Sequence, residues 1–117
     1  MINSIPKLLT VQSLYKWLNS DSENPVIIDV RESMELEIAN FPYMDIHIPM
    51  SEVTKEYVCS KINDHLDKEL VILCHRGIRS FNFAQWLLEN NFIDKVWNLE
   101  NGIDGWSIHI DSKIPRY

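Results

Sequence analysis

Seven consecutive residues in the second half of the chain combine the side chains that a nucleophilic, anion-binding site requires. They are Cys74, His75, Arg76, Gly77, Ile78, Arg79 and Ser80. A cysteine attacks as the thiolate, and nearby cations and the N-terminus of a helix stabilise that form. Gly77 permits backbone angles closed to other residues, so the loop can turn several N–H groups towards one point. The pattern predicts Cys74 as a nucleophile beside an anion-binding loop.

The segments on either side of Cys74 predict its position. Residues 70–73 are an apolar run typical of a strand covered on both faces, and residues 80–90 have the pattern of a largely buried helix. Ligands of open α/β sheets bind just beyond the carboxyl ends of the strands, where Cys74 falls. The alternative is a small core residue that ends a strand. An inert cysteine, however, does not need a glycine and three basic neighbours.

The rest of the chain alternates between strand and helix patterns. A β-branched run at 26–30 predicts a second central strand, and further strands are predicted at 5–9, 46–48 and 96–99. Helical spacing predicts a helix at 11–18 capped by Thr10, another from near Ser51 to 66, and a short segment at 103–106. The expected fold is one α/β domain over residues 1–117, with about five mostly parallel strands and helices on both faces.

Composition argues against several function classes. The 117 residues include 17 acidic and 11 basic side chains, and the net charge of −6 repels nucleic acid backbones. The apolar runs are far shorter than the ~20 residues that span a bilayer, so no membrane association is expected. The first residues lack the basic and apolar segments of a secretory signal, and we expect a cytoplasmic protein.

The remaining cysteine and the histidines predict no second chemical site. Cys59 follows Val58 in a predicted helix and is expected to be buried packing. A metal site would have to combine the cysteines with scattered histidines that lack the spacing of metal ligands, so none is expected.

Three motifs in order resemble those of the single-domain rhodaneses, the thiosulfate sulfurtransferases. Ile-Ile-Asp-Val-Arg-Glu at 27–32 resembles the first signature of this family, and residues 74–80 resemble its active-site loop. Leu-Glu-Asn-Gly-Ile-Asp-Gly-Trp at 99–106 resembles its closing segment, and Ile-Pro-Arg-Tyr at 114–117 is a similar ending. The resemblance covers nearly the whole chain and implies a rhodanese-like fold.

The resemblance also implies a reaction. The Cys74 thiolate would take the outer sulfur of thiosulfate, release sulfite, hold the sulfur as a persulfide and pass it to cyanide or a thiol in a ping-pong cycle. The loop N–H groups from His75 to Ser80 would stabilise the persulfide, while Arg76 and Arg79 would bind the thiosulfate dianion. No bound cofactor is implied, because the protein carries the sulfur covalently.

Asp29 and Arg31 of the first motif are expected to lie behind this loop. They either fix the chain turn after their strand, which we favour, or orient loop groups through hydrogen bonds. Two departures from the family pattern concern other segments. Residues 39–44 replace the usual Gly-His-Ile-Pro-Gly-Ala and place substrate access or partner choice in question, whereas Asn101 replaces a glycine and should alter only a turn, because asparagine tolerates left-handed angles.

Two other functions are consistent with a cysteine loop. A persulfide carrier in a sulfur relay, or a protein-interaction module with little turnover, would use the same residues. A phosphatase of the Cys-x5-Arg type is disfavoured, because Ser80 stands at the position of the arginine and Leu73 precedes the cysteine where those enzymes usually have histidine.

Overall fold

The two apolar runs predicted as central strands lie inside one five-stranded sheet. The computed structural model describes residues 4–117. All neighbouring strands are parallel, in the order β1-β5-β4-β2-β3. The strands are β1 (Lys7–Leu9), β2 (Val26–Asp29), β3 (Ile46–His47), β4 (Leu70–Leu73) and β5 (Trp97–Leu99). The predicted parallel α/β architecture is therefore confirmed.

Residues 4–117 contain five helices. They are α1 (Val11–Leu18), α2 (Ser33–Ile38), α3 (Lys55–Ile62), α4 (Ile78–Glu89) and α5 (Gly102–His109). Short 3-10 turns at Met50–Glu52 and Asn63–His65 flank α3. The predicted N-cap of α1 is confirmed, since the Thr10 hydroxyl accepts a hydrogen bond from the Ser13 N–H.

Alternate residues of the central strands face two separate cores. Ile28 and Ile72 belong to a core that includes Val58 of α3 and Phe83 of α4. Ile27, Val71 and their neighbours pack on the opposite face with residues of α1 and α5, among them Leu14 and Trp106. All residues of β2 and β4 are buried, as their continuous apolar sequences predict.

Several helix boundaries differ from the sequence prediction. The third helix begins at Lys55 instead of near Ser51, because Met50–Glu52 form a 3-10 turn and the Thr54 side chain caps the helix. Helix α4 begins at Ile78, two residues before Ser80, with Gly77 as its N-cap. The predicted short segment at 103–106 is the longer helix α5.

Helix α2 was not predicted from the sequence. It has six residues, none of them buried, and its apolar residues alternate with polar ones instead of following a helical period. A capping box starts it: the Glu32 side chain accepts from the third helical residue, and the Glu35 carboxylate accepts the Glu32 N–H at 2.9 Å. This short helix matters because it places Glu35 beside the cysteine loop.

The prediction for Cys59 was wrong. Its side chain is exposed on α3, because Val58 and Ile62 supply the buried face of that helix and the residue after Val58 points away from it. In residues 4–117, no helix is long and apolar enough to cross a membrane.

Candidate active site

Cys74 is the first residue after β4, at the position predicted from the apolar run before it. Its side chain is a free thiol and is 1% exposed. The Gly77 N–H donates to Cys74 Sγ at 3.1 Å. The residues between them curl around the sulfur, so that the chain turns back on Sγ before α4 begins.

The loop requires the left-handed backbone that its glycine was predicted to supply. Gly77 has a φ of +96°. A Cβ at this position would also lie 3.1 Å from the backbone N of Asn101 and 3.2 Å from the carbonyl oxygen of Leu99. Both the angle and the space therefore favour glycine.

The N-terminus of α5 donates hydrogen bonds to the carbonyl groups at the start of the loop. The N–H groups of Ile103 and Asp104 donate to the carbonyl oxygens of Cys74 and His75 at 2.9 and 3.0 Å. Gly102, with a φ of +53°, has no room for a side chain, because a Cβ would overlap the Cys74 carbonyl oxygen. While these carbonyls bond to α5, the backbone N–H of Gly77 bonds to the sulfur.

A hydrogen-bonded side-chain pair completes the surroundings of the sulfur. Cys74 Sγ donates to Ser80 Oγ at 3.2 Å, and Ser80 Oγ donates to Asn98 Oδ1 at 2.5 Å. Asn98 Nδ2 donates to the Gly77 carbonyl at 3.1 Å. Asn98 was not predicted from the sequence, although a polar residue inside the short strand β5, where it is 4% exposed, was a usable signal.

Arg79 lies near the loop but its guanidinium is engaged by a carboxylate. Nη1 and Nη2 donate to the two oxygens of Glu35 at 2.7 and 2.8 Å, a bidentate pair. This hydrogen bonding holds the pKa of Glu35 at about 2, well below its usual value, and raises that of Arg79. The positive charge of Arg79, which was predicted to attract an anion, is thus largely balanced by the Glu35 carboxylate of α2.

Asp29 and Arg31 form a buried ion pair directly behind the site. Arg31 Nη2 lies 2.8 Å from Asp29 Oδ2, both side chains are fully buried, and the Asp29 carboxylate also accepts the Arg31 backbone N–H. Their contacts fit the predicted role of fixing the chain turn after β2. Arg31 reaches the cysteine loop indirectly, since Nη1 donates to the hydroxyl of Tyr117 at 3.1 Å.

Tyr117 joins the two ends of the cysteine loop. Its ring is stacked on the His75 imidazole, and its hydroxyl donates at 2.9 Å to Glu35, which in turn holds Arg79. Desolvation, followed by repulsion from Arg76, lowers the pKa of His75. This role of Tyr117 was not predicted, because nothing local in the sequence indicates contacts with residues so far away along the chain.

Two loop side chains reach the surface beside the buried sulfur. Arg76 is exposed and borders a depression of about 410 Å³ that Asp104 and Arg116 also line. Arg76 also borders a second depression of about 360 Å³, together with Ile78, which is 71% exposed. Gly77 and Ser80 are buried, so the residues predicted as one binding loop fall into a buried group near the sulfur and an exposed pair.

Residues 39–44 place two side chains in the core and expose most of the others. Ala39 and Phe41 are 1% exposed, and the Phe41 ring packs edge-on against Trp106 with centroids 5.1 Å apart. Asn101, the other departure from the family pattern, has a φ of 64°, which confirms that asparagine takes the left-handed turn. Among residues 4–117, no group of three or more metal-ligating side chains comes together.

Comparison with known proteins identifies the family. A family model described as "Rhodanese-like domain" matches residues 10–109. The chain is 34% identical over 108 residues to "Rhodanese-like/PpiC domain-containing protein 12, chloroplastic" of Arabidopsis thaliana, which covers 86% of this chain and 35% of that protein. It is 31% identical over 113 residues to "Adenylyltransferase and sulfurtransferase UBA4" of Debaryomyces hansenii, covering 93% of this chain and 25% of that protein.

Solved structures agree with these relatives. A rhodanese-like domain protein from Staphylococcus aureus superimposes with a TM-score of 0.69 at 26% identity, over 95% of this chain and 98% of that one. The chain spans about a third or a quarter of the two curated relatives, which are much longer proteins. The family model, the parallel sheet and the cysteine loop together establish that this chain belongs to the rhodanese-like domain family.

Proposed function

We propose that the protein is a sulfurtransferase that moves sulfane sulfur from thiosulfate to cyanide or a thiol through a persulfide on Cys74. The observation that carries the proposal is the free Cys74 thiol inside a loop whose first carbonyls bond to α5 and whose Gly77 N–H points at Sγ. Such an arrangement of N–H groups suits an anionic sulfur better than a bulky substrate. The sulfurtransferase named among the relatives supports the same chemistry.

The proposed reaction has two displacement steps. The Cys74 thiolate attacks the outer sulfur of thiosulfate, the S–S bond of the donor breaks, and sulfite leaves with the electron pair. Cyanide or a thiolate then attacks the outer sulfur of the persulfide, and Cys74 leaves as the thiolate. Each half-reaction conserves charge and electrons, so no further oxidant or reductant is needed.

The loop residues take different parts in this proposal. Backbone N–H groups from His75 to Ser80 stabilise the outer sulfur, and the exposed guanidinium of Arg76 attracts the donor. Arg79 acts mainly by fixing the loop, because its bidentate pairing with Glu35 would have to break before it could bind thiosulfate. Asp29 and Arg31 hold the turn behind the loop.

The proposal treats residues 1–117 as one domain without a bound cofactor. The single-domain part is supported by the single sheet, which carries one core on each face. The nucleophile must remain a reduced thiol, which suits a reducing compartment such as the cytoplasm.

A persulfide carrier is the second candidate. In the plant and yeast relatives the matching domain is only part of a longer protein, an arrangement that suits sulfur passed between attached units. The exposed Ile78 beside the loop gives a docked acceptor an apolar contact. Turnover separates the candidates: an enzyme releases many equivalents of thiocyanate from thiosulfate and cyanide, whereas a carrier releases about one per loading.

Intact-protein mass spectrometry tests sulfur transfer directly. Wild type, Cys74→Ser and Cys59→Ser are treated with thiosulfate and then with cyanide. The exposed Cys59 provides the matched control, since it is the more accessible thiol but lacks the loop. We expect wild type and Cys59→Ser to gain the mass of one sulfur atom and lose it as thiocyanate. An adduct that persists in Cys74→Ser, or none on folded wild type, overturns the proposal.

A further inference from the structure

The nucleophile and three residues around it form a closed ring of hydrogen bonds. Gly77 N–H donates to Cys74 Sγ, Cys74 Sγ donates to Ser80 Oγ, and Ser80 Oγ donates to Asn98 Oδ1. Asn98 Nδ2 donates back to the carbonyl oxygen of Gly77. All four residues are buried, so water does not replace a lost partner easily.

Chemistry fixes the direction of every bond in this ring. A carbonyl oxygen only accepts, so the group of Asn98 that faces Gly77 must be the donor Nδ2. The amide oxygen of Asn98 therefore faces Ser80, and since it carries no hydrogen, the Ser80 hydroxyl must donate to it. Ser80 Oγ is then left with lone pairs for Cys74 and can only accept from the thiol.

The ring is complete for a thiol and incomplete for a thiolate. A thiolate has no hydrogen to donate, and it attracts the Ser80 hydroxyl hydrogen towards itself. If Ser80 turns to donate to the sulfur, Asn98 Oδ1 loses its donor inside the protein, which is unfavourable. If Ser80 does not turn, its lone pairs face a negative sulfur. Either way, Asn98 opposes the bare thiolate.

A persulfide avoids this conflict. Its charge is concentrated on the outer sulfur instead of on Sγ, the atom that Ser80 Oγ contacts, and Sγ becomes an uncharged atom without a hydrogen. Ser80 can then keep its bond to Asn98. Discharge of the outer sulfur regenerates the thiolate, and so it is the discharge step that restores the conflict.

We infer that Asn98 is a positioning residue that holds the Ser80 hydroxyl as an acceptor towards Cys74 and thereby favours the thiol and the persulfide over the bare thiolate. The part of this inference that concerns the persulfide rests on the proposed function. The part that concerns the thiol does not.

In residues 4–117, no charged side chain near Cys74 hydrogen-bonds to Sγ. Arg79 from α4 is paired with Glu35 from α2, and Arg31 after β2 is paired with Asp29. His75 and Arg76 follow Cys74 in the loop, and Asp104 approaches His75 from α5. In residues 4–117, Gly77 and Ser80 supply the hydrogen bonds to Sγ, so changing Asn98 alters the ring while leaving these charges in place.

The test is the pH profile of Cys74 alkylation by iodoacetamide, measured in a Cys59→Ser background so that one thiol reacts. Asn98→Leu frees the Ser80 hydroxyl to donate to the thiolate. We expect the midpoint of the profile to move about one pH unit lower, a roughly tenfold gain in thiolate below the midpoint. Asn98→Val, which suits a strand, carries the same prediction should the leucine variant fail to fold.

A double-mutant cycle separates positioning from a general loosening of the loop. In a Ser80→Ala background there is no hydroxyl to turn, so adding Asn98→Leu should leave the midpoint where Ser80→Ala alone places it. A midpoint that is unchanged or higher in Asn98→Leu, or an equal shift in both backgrounds, overturns the inference.

Wild-type protein provides a readout that depends on no variant. The side-chain amide resonances of Asn98 should shift with pH at the alkylation midpoint, because Oδ1 loses its donor as the thiolate forms. Resonances that do not respond contradict the inference.

Discharge of the persulfide addresses the sulfur-transfer part. Asn98→Leu, loaded from thiosulfate, should lose its outer sulfur to cyanide several-fold faster than the Cys59→Ser parent. An equal or slower rate contradicts this part. If wild type forms no persulfide while the alkylation midpoints move as expected, the proposed function fails and the role of Asn98 towards the thiol stands.

Discussion

The ring of Tyr117 lies flat on the imidazole of His75, with centroids 3.9 Å apart and an angle of 6° between the planes. The same tyrosine accepts a hydrogen bond from Arg31 and donates one to Glu35. Tyr117 thus contacts the residue after the nucleophile and, through Glu35, the arginine at the other end of the loop. One aromatic side chain links the turn after β2, helix α2 and the cysteine loop.

The stack predicts a measurable change in the acidity of His75. Desolvation is the main cause of its lowered pKa, so Tyr117→Ala, which uncovers one face of the imidazole, should raise that pKa towards its usual value. Tyr117→Phe keeps the ring and should leave the pKa low. NMR titration of the His75 ring protons, assigned with His75→Asn, checks both. Equal values in the alanine and phenylalanine variants would show that stacking does not control the imidazole.

The Glu35–Arg79 pair predicts an acid-dependent part of the stability. Because Glu35 has a folded-state pKa of about 2 against 4.5 for the free side chain, its contribution is fully present above pH 4.5 and disappears as the pH falls towards 2. Glu35→Gln should therefore be less stable than wild type at pH 7, by about 1–2 kcal/mol, since the 36% exposure of Arg79 lets solvent weaken the pair. The difference should shrink on acidification.

Urea unfolding at several pH values between 7 and 3 measures this difference. Glu37→Gln on the same short helix is the control and should show little change, because Glu37 is exposed and has no ion-pair partner within residues 4–117. A Glu35→Gln deficit that stays constant with pH would assign the loss to packing instead of charge.

The sheet and the nucleophile were predictable because each depends on short-range patterns. Continuous apolar runs at β2 and β4 occur where both faces of a strand are covered, and the glycine after Cys74 indicates a loop with left-handed angles. The partners of the loop were not predictable, because Glu35 and Asn98 reach it across 44 and 18 residues of sequence. Nothing local in the sequence distinguishes the Arg79 that pairs with Glu35 from one that would bind an anion.

Cys59 and helix α2 show two other limits. An apolar neighbour predicted burial for Cys59, but successive helical residues point about 100° apart, so the burial of Val58 does not extend to it. Helix α2 depends on reciprocal capping bonds and has no apolar stripe that a periodicity search could detect.

Under the proposed function, the exposed position of Arg76 predicts that this residue contributes to thiosulfate affinity. It is the exposed arginine of the loop, so Arg76→Ala should raise the KM for thiosulfate about 5- to 10-fold, the loss expected for one charge-assisted hydrogen bond to an anion, with a smaller effect on kcat. Arg116→Ala is the matched control, because Arg116 lines the same depression but is paired with Asp104 at 2.9 Å. Steady-state kinetics with varied thiosulfate measure both. Equal KM changes in the two variants would indicate a general effect of surface charge.

The tight packing at Gly102 predicts that the hydrogen bonds from α5 to the loop carbonyls are required for the reactive geometry. Gly102→Ala would drive a Cβ into the Cys74 carbonyl oxygen at a φ of +53°, and relief of this overlap must move either the loop or the start of α5. We expect a loss of roughly 2 kcal/mol or more in stability and a large drop in the alkylation rate of Cys74. Asn101→Gly, one residue earlier, is the control: its φ of 64° suits glycine, and no contact to the Cys74 or His75 carbonyls changes. Thermal unfolding and alkylation of both variants decide the matter. Since the carbonyls of Cys74 and His75 are bonded by α5, a Gly102→Ala protein that alkylates at the wild-type rate would mean that the loop holds its shape through Gly77, Ser80 and Asn98 alone.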